Sequence, residues 1–288
     1  MVLEAAGDSA SAPARLRAQL PALTEAEARV ARCVLERPDE VLRASVSEVA
    51  SMARVSPATV VRCCQRAGYR GFHELKLALA RGAGSSQGRA SVTIRADDSP
   101  DAVLDKIFSS SAAALDEART TVNREDFEAA TVALDRARTI LFAGVGTSAP
   151  LAQDAAYRFS TLGLAAISPA DIHAQHVAAR LLGPHSACLT VSHSGATRET
   201  VAVTASAREA GATTIAVTSF AESPLTEVAD LVLVAGGPEL SFRLEAMSSR
   251  IAHLTVLDAL FVALAHRRRA RAEHALDLTA EVLADHRY

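Results

Sequence analysis

The chain has 288 residues, enough for two domains, and its 49% hydrophobic and 22% charged residues are typical of a soluble globular protein. No apolar run reaches the roughly 18 residues of a membrane span, and the start from Met1 to Pro13 lacks the basic and apolar segments of a signal peptide. We therefore interpret that start as a disordered tail and expect a cytoplasmic protein without a membrane partner.

The overall charge of −3 hides an asymmetry along the chain. Residues 1–90 carry 13 basic and 9 acidic residues, a net of +4, whereas the remainder has a net of −7. Within residues 43–89 the count is 8 basic against 2 acidic. A basic segment beside an acidic body favours one domain that binds nucleic acid and one that does not, although many solvated helices are also basic.

The first 81 residues carry repeated helix signals. The spacing of Thr24 and Glu27 fits a capping box, and the helix after it should end before Pro38. Ser56-Pro57 is a second strong start, since serine caps a helix and proline suits its first position. The pattern predicts further helices over residues 39–43, 45–53, 58–67 and 73–81.

Two of these helices, over residues 45–53 and 58–67, are joined by a turn of a few residues, which is the pattern of a helix-turn-helix unit. The second helix would face DNA, and Val60, Val61 and Cys64 would pack inward. Its predicted DNA contacts are Ser56, Ala58, Thr59, Arg62, Gln65 and Arg66. A small helical bundle used for oligomerisation remains the alternative.

Cysteine spacing favours free thiols over a metal site. Cys63 and Cys64 are adjacent, and no His/Cys spacing completes a zinc pair with them, with Cys33 or with Cys188. We therefore expect buried or partly buried free thiols, no bound metal and no cofactor.

A Gly/Ser-rich stretch from Gly82 to Ser91 predicts a linker over residues 82–100. Helices follow over residues 102–121 and 124–137, and strands then alternate with helices. The five predicted strands cover residues 139–143, 164–167, 187–191, 213–217 and 231–234. Apolar strands separated by helices imply a parallel sheet covered on both faces, an α/β three-layer sandwich. We thus predict a DNA-binding domain over residues 15–81 and a second domain over residues 101–288.

Two turns with similar chemistry follow predicted strands, Gly144 to Ser148 and Ser192 to Thr197. Hydroxyls, backbone N–H groups and a helix start converge in the second turn, which suits a phosphate. Gly144-Val-Gly146 is only superficially a dinucleotide fingerprint, because Ala149 stands where the third glycine belongs and no acidic residue closes the next strand.

These residues also carry a family resemblance. Ser192-His-Ser194-Gly195-Ala-Thr197-Arg-Glu199 resembles the signature of the sugar isomerase (SIS) domain, and the likeness runs over residues 125–265. Residues 15–81 resemble the helix-turn-helix domain of the RpiR family of transcriptional regulators, in Val55 to Arg62 and in Gly68 to Lys76. Glu245 to Asp258 resembles that family's closing helix.

The resemblance implies a regulator in which a phosphorylated sugar binds the SIS domain and changes how a homodimer or homotetramer binds operator DNA. Its implied ligand residues are Gly146, Thr147, Ser148, Ser192, His193, Ser194, Gly195, Thr197 and Glu245. One departure is Gly183-Pro-His-Ser186, where the family often has Gly-x-Asp.

Two alternatives remain open from the sequence. A sugar-phosphate isomerase with a helical accessory domain would need an acid/base pair, for which the possible partners are Glu199, Glu245, His173, His176, His193 and His253. The other alternative is a structural or oligomerisation protein that binds no ligand.

Overall fold

The computed structural model describes residues 11–83, 94–238 and 246–284, and the chain divides into two compact units. The first unit comprises Met1–Val122, Phe220–Glu222 and Val234–Ser249, and the second comprises Asn123–Ser219, Ser223–Leu233 and Arg250–Tyr288. The predicted fold class is confirmed: the first unit carries a helical helix-turn-helix region, and the second contains a five-stranded sheet with helices around it.

The described part of the first unit is helical. Its helices are α1 (Ala12–Gln19), α2 (Glu25–Glu36), α3 (Pro38–Arg43), α4 (Val46–Met52), α5 (Pro57–Arg66), α6 (Phe72–Ala83) and α7 (Pro100–Thr121). The two predicted helix starts are confirmed, since Thr24 and Glu27 form a capping box on α2 and the Ser56 hydroxyl accepts from the Thr59 backbone N–H on α5.

Helix α1 corrects the interpretation of the chain start as a tail through Pro13. Ser11 caps this helix by accepting from the Ala14 backbone N–H, and Pro13 lies in its first turn. The Ser-x-Pro sequence is therefore a helix start, and Leu16 on the same helix is fully buried. Residues 1–10 lie outside the residues that the structure describes.

One apolar core joins α1 to α6, with Leu16, Val30, Val60 and Leu75 all fully buried. On α5, Val60 and Cys64 face inward as predicted, but Val61 is only half-buried and Cys63 is the third fully buried residue instead. Helix α5 contacts α2, α4 and α6, so three neighbouring helices determine which of its residues are buried. The sequence pattern did not show that α5 packs against three helices.

A four-residue turn, Ala53 to Ser56, connects α4 and α5. Arg54 in this turn has a positive φ of 54°, and the Arg29 side chain donates from Nε to the Ala53 carbonyl over 3.3 Å. The turn is thus held by α2, which fixes the direction in which α5 leaves it.

The predicted linker is described only at its ends. Helix α6 continues to Ala83, residues 84–93 lie outside the description, and α7 begins at Pro100 behind the Ser99 cap. By its contacts α7 belongs to the first unit, whereas the sequence boundary at residue 101 assigned it to the second domain. One of those contacts is the ion pair of Arg17 on α1 with the buried Glu117 on α7. The domain boundaries remain a prediction.

The second unit follows the predicted alternation of strands and helices. Its strands are β1 (Thr139–Gly144), β2 (Ala166–Ile167), β3 (Ser186–Ser192), β4 (Thr213–Thr218) and β5 (Leu231–Val234). Its helices are α8 (Arg124–Arg136), α9 (Ala149–Ser160), α10 (Ile172–Arg180), α11 (Arg198–Glu209), α12 (Pro224–Val228), most of α13 (Met247–Arg267), and α14 (Arg269–Ala284). Strand β2 keeps only half of the predicted residues 164–167, although the Ala165 carbonyl still accepts from the Ile140 backbone N–H on β1 over 2.9 Å.

The sheet has the order β2-β1-β3-β4-β5, and β1 pairs in parallel with both β2 and β3. Strand order therefore reverses between β1 and β3, where Gly144 lies opposite Val191. In open α/β sheets ligands bind outside the carboxyl ends of the strands at such a reversal. The two turns singled out in the sequence follow β1 and β3, so the fold brings them side by side.

Helix α13 is long and apolar enough to cross a membrane by length and composition, which the sequence prediction did not note. One such helix is weak evidence, since core helices of soluble proteins meet the same criteria. Here Ala252, Leu260 and Leu264 are fully buried against the protein itself.

The second unit's core includes a fully buried aromatic pair. Phe159 on α9 meets Phe142 on β1 edge to face, with ring centroids 5.0 Å apart, and Phe261 on α13 lies 5.9 Å away. This cluster anchors α9 and α13 to the strand that leads into the first turn.

We expect Phe159→Ala to destabilise the second unit by about 3–5 kcal/mol, because it removes a fully buried ring and leaves a cavity. Tyr157→Ala on the same helix is the matched control. Tyr157 is 58% exposed, so its loss should change the free energy of unfolding by no more than about 0.5 kcal/mol. Denaturant unfolding followed by circular dichroism measures both, and equal effects would contradict the assignment of the core.

Candidate functional site

The turn after β1 combines a tight backbone with exposed polar groups. Gly144 has to be glycine, because a Cβ there would lie 2.9 Å from the Ser148 carbonyl oxygen. The Gln175 side chain donates from Nε2 to the Gly144 carbonyl over 3.2 Å and so holds the end of the strand. Gly146 and Thr147 are exposed, whereas Ser148 is buried to 8% exposure at the start of α9.

The turn after β3 is closed by hydrogen bonds between its own backbone N–H groups and its serine hydroxyls. The Ser192 hydroxyl accepts from the Gly195 backbone N–H over 3.1 Å, and the Ser194 hydroxyl accepts from the Ala196 N–H over 3.2 Å. A hydroxyl that accepts a bond still has its own proton to donate. Thr197 is the N-cap residue of α11, so hydroxyl donors and the positive end of a helix dipole lie in one short stretch.

Gly195 is the tightest point of this turn. It has a positive φ of 63°, and a Cβ there would lie 2.6 Å from the Cβ of Ser223. The Gly195 carbonyl also accepts from the Leu225 backbone N–H over 2.9 Å. The turn after β3 is therefore packed directly on the start of α12.

His193 ties the same turn to the end of β4. Its Nδ1 lies 2.8 Å from the Ser219 Oγ, and the Ser219 Oγ lies 3.1 Å from Nε2 of the buried His253 on α13. The His193 carbonyl accepts from the Ser219 backbone N–H over 3.2 Å. Because a hydroxyl has one proton, Ser219 can donate to no more than one of the two rings, so its bonds couple the tautomers of the two imidazoles.

Sequence reasoning missed Gln175, Ser219 and Ser223, which hold the two turns in place. Ser223-Pro224 repeats the Ser-Pro helix start of Ser56-Pro57, and this signal was available in the sequence. The role of Ser219 was not readable, because it depends on β4 lying beside β3.

The remaining predicted site residues do not form one cluster in the described structure. Glu245 lies outside the residues that the structure describes. Among the possible isomerase partners, His173 and Glu199 are exposed, and His176 Nε2 lies 2.8 Å from the Ser206 hydroxyl. Of the six, only His193 and His253 are brought together by described contacts, with ring centroids 6.5 Å apart.

A cleft of about 710 Å³ lies elsewhere, at the amino ends of β3, β4 and β5. Its described lining includes Glu125, Glu128 and Asp230 beside a single arginine, Arg136, and includes none of the predicted ligand residues. An acidic lining repels a phosphate, so the hydroxyl turns at the opposite edge of the sheet fit that ligand better.

The first unit presents a second candidate site on α5. Ser56, Ala58, Arg62, Gln65 and Arg66 are all exposed, and positions 58, 62, 65 and 66 lie on one helix face. Thr59 differs, since it is only 5% exposed. Its Oγ1 accepts from Arg62 Nη2 over 3.0 Å and lies 2.9 Å from the Ser56 hydroxyl.

All four cysteines are free and buried. Burial raises the pKa of Cys188 to about 12, and burial together with neighbouring groups does the same for Cys63. These thiols therefore stay protonated at neutral pH and act as small apolar side chains.

Comparison with known proteins identifies the two domains that carry these candidate sites. A family model described as the helix-turn-helix domain of the rpiR family matches residues 12–86, and a SIS domain model matches residues 133–263. The HTH-type transcriptional regulator HexR of Pseudomonas aeruginosa is 35% identical over 274 residues, which cover 95% of this chain and 96% of HexR.

Two further matches also span nearly the whole chain. An HTH-type transcriptional regulator of Caldanaerobacter subterraneus is 36% identical over 269 residues, covering 93% of this chain and 95% of the relative. The NanR protein of Vibrio vulnificus, solved in complex with ManNAc-6P, has a TM-score of 0.61 and 25% identity. That match covers 96% of this chain and 99% of NanR.

We expect Gly195→Ala to destabilise the second unit far more than Gly146→Ala. Both glycines have a positive φ, which costs alanine about 1–2 kcal/mol. A Cβ at Gly195 also overlaps Ser223, for a total of about 2–5 kcal/mol, whereas a Cβ at Gly146 is clear of every described atom within 4 Å. Thermal unfolding of both variants measures the difference, and equal losses would contradict the packing of this turn.

Proposed function

Because the chain belongs to the RpiR family of helix-turn-helix transcriptional regulators, we propose that it binds operator DNA through α5 and that a phosphorylated sugar in the second unit controls this binding. The observation that carries the proposal is the pair of hydroxyl-rich turns at the β1–β3 reversal, in a chain that also presents an arginine-bearing recognition helix. Operator DNA as partner implies a cytoplasmic protein.

The ligand class follows from the chemistry of the turns. Ser148, Ser192, Ser194 and Thr197 supply hydroxyl donors, and the N-terminus of α11 adds backbone N–H groups. Gly146, Thr147, His193 and Gly195 would shape the same site, and Glu245 would reach a sugar hydroxyl. NanR, solved with ManNAc-6P, supports a phosphorylated sugar as the ligand class.

The DNA contacts follow from the exposed face of α5. Arg62, Gln65 and Arg66 have the side chains that form bidentate bonds with bases, and Ser56 and Ala58 lie at the helix end that enters a major groove. Because Thr59 is buried and bonded to Arg62, we propose that it orients this arginine rather than contacting DNA itself. A homodimer or homotetramer would present two such helices to two half-sites.

Control of DNA binding would start from the residues that contact the proposed ligand turns. Ser219 and Ser223 belong to the second unit, while the three residues between them belong to the first. Ser219 bonds His193, and Ser223 packs on Gly195. A ligand that moves the turn after β3 would thus act first on Ser219 and Ser223 within the second unit.

We propose that the second unit binds its sugar without turnover. Isomerisation needs an acid and a base at the same carbon pair, yet His173 and Glu199 are exposed and His253 is buried behind Ser219. Incubation with aldose and ketose phosphates should leave both unchanged. Interconversion above the buffer rate would establish the isomerase alternative instead.

Thermal unfolding against a panel of hexose, pentose, amino-sugar and acid phosphates tests ligand binding. A ligand at 100 times its Kd should stabilise the fold by about 2.7 kcal/mol. Ser194→Ala should abolish that shift, whereas Ser160→Ala, which removes an exposed hydroxyl at the end of α9, should keep it. A shift with no compound would favour the assembly-only alternative, and one that survives Ser194→Ala would place the ligand elsewhere.

We expect Arg62→Ala to weaken binding to an operator, selected from a random duplex library, by about 1–3 kcal/mol through the loss of a base or phosphate contact. The sugar-phosphate shift in thermal unfolding should stay intact. Arg180→Ala is the control, because it removes an exposed arginine of the second unit. Equal losses in the two variants, measured by fluorescence anisotropy, would mean that α5 is not the reading helix.

A further inference from the structure

Glu27 is a buried acid beneath the exposed face of α5. It is the third residue of α2, and its side chain is only 3% exposed. Its Oε2 accepts from the Thr24 backbone N–H over 3.0 Å and from the Thr24 hydroxyl over 2.9 Å. Capping a helix explains these two bonds, but a capping residue has no need to be buried under another helix.

Two arginines of α5 turn toward the same carboxylate. Arg62 Nε lies 3.6 Å from Glu27 Oε1, and Arg66 Nε lies 3.4 Å from Oε2. The arginine side chains themselves are 58% and 49% exposed. Each guanidinium therefore presents its inner edge to the buried acid while about half of the side chain remains accessible.

Each arginine has a second anchor. Arg62 Nη2 donates to Thr59 Oγ1 over 3.0 Å, and Arg66 Nη1 donates to the Ala22 carbonyl over 3.2 Å. A planar guanidinium held at two points has little freedom to rotate. The side chains are thus ordered before any partner arrives.

We infer that Glu27 is a positioning residue for DNA recognition, whose buried carboxylate holds Arg62 and Arg66 in fixed orientations and neutralises one of their two charges. The inference rests on the proposed DNA-binding role of α5. Sequence-specific contacts depend on donor geometry, whereas non-specific binding depends on the number of positive charges. Glu27 therefore raises the ratio of operator binding to non-specific binding.

The carboxylate is ionised at neutral pH, as this role requires. Burial acts to raise the pKa of Glu27, but the hydrogen bonds from Thr24 and the positive charges of Arg66 and Arg62 outweigh it and lower the pKa below its ordinary value. A buried carboxylate that lost both arginines would be left without compensating charge, so the arginines bind DNA while still held.

Glu27→Gln tests the inference, because glutamine serves in a capping box but carries no charge. We expect affinity for non-operator DNA to rise and its logarithmic salt slope to steepen by about 1. The ratio of operator to non-operator affinity should fall about tenfold, because the arginines lose their fixed geometry. Fluorescence anisotropy over a range of salt concentrations measures both quantities.

Glu48→Gln is the matched control. Glu48 forms a capping box with Ser45 at the start of α4, with the same pattern of bonds, and the substitution removes the same charge from an exposed position. Its affinity ratio should stay within about twofold of the wild-type value. If both glutamine variants lower the ratio equally, the effect is one of capping or net charge, and the inference is overturned.

The Arg62→Ala/Arg66→Ala background tests whether Glu27 acts through the arginines. Adding Glu27→Gln there should leave the ratio unchanged, and a further fall would overturn the inference. Suppose that Glu27→Gln leaves the affinity ratio unchanged while the double arginine variant loses operator binding. That result overturns the positioning role of Glu27 alone. If the double arginine variant binds operator normally, the proposed role of α5 fails too. If Glu27→Gln does not fold, Arg62→Lys is the second variant, because it keeps the positive charge but lacks the planar guanidinium that Glu27 holds. An unchanged affinity ratio in Arg62→Lys also overturns the positioning role.

Discussion

The parallel pairing of β1 with β3 is the constraint on which the candidate ligand site depends. Because Gly144 lies opposite Val191, the turns that follow these strands start side by side. Each turn then needs its glycine for a steric reason. A Cβ on Gly144 would clash with the Ser148 carbonyl, and a Cβ on Gly195 would clash with Ser223. A shift of register by one residue would move the two sets of hydroxyls relative to each other along the sheet edge.

The two candidate sites differ in the kind of positive potential that they present to an anion. On α5, the exposed arginines would bring full positive charges to a polyanion, and the buried Glu27 pairs with Arg62 and Arg66 behind that surface. At the sheet edge, the described turns offer hydroxyls and a helix N-terminus, so a phosphate would be held by dipoles. Charge suits long-range attraction to DNA, whereas short-range dipoles suit a small ligand that has to leave again.

Local signals were sufficient to predict most elements and the signature turn. The capping box at Thr24, the Ser56-Pro57 start and the apolar strands each encode structure within a few residues. The misses were of two kinds. Ser11 and Ser223 carried readable cap signals that were passed over, whereas the roles of Glu27 and Ser219 depend on elements distant in the chain that only the fold brings together. Thr59 was placed on the correct helix, but the sequence could not reveal that Arg62 covers its hydroxyl.

Ser219 lies between the proposed ligand turn and helix α13, and this position bears on how a ligand would control DNA binding. Its hydroxyl is shared by His193 and His253, so a hydrogen-bonded chain runs from the turn after β3 to α13. The next three residues already belong to the first unit, and α13 itself begins there, since Met247 to Ser249 are part of that unit. A ligand that binds this turn would act first on the segments that carry Ser219 and His253. An effector needs only a small difference in affinity between two arrangements of those segments to change operator binding several-fold.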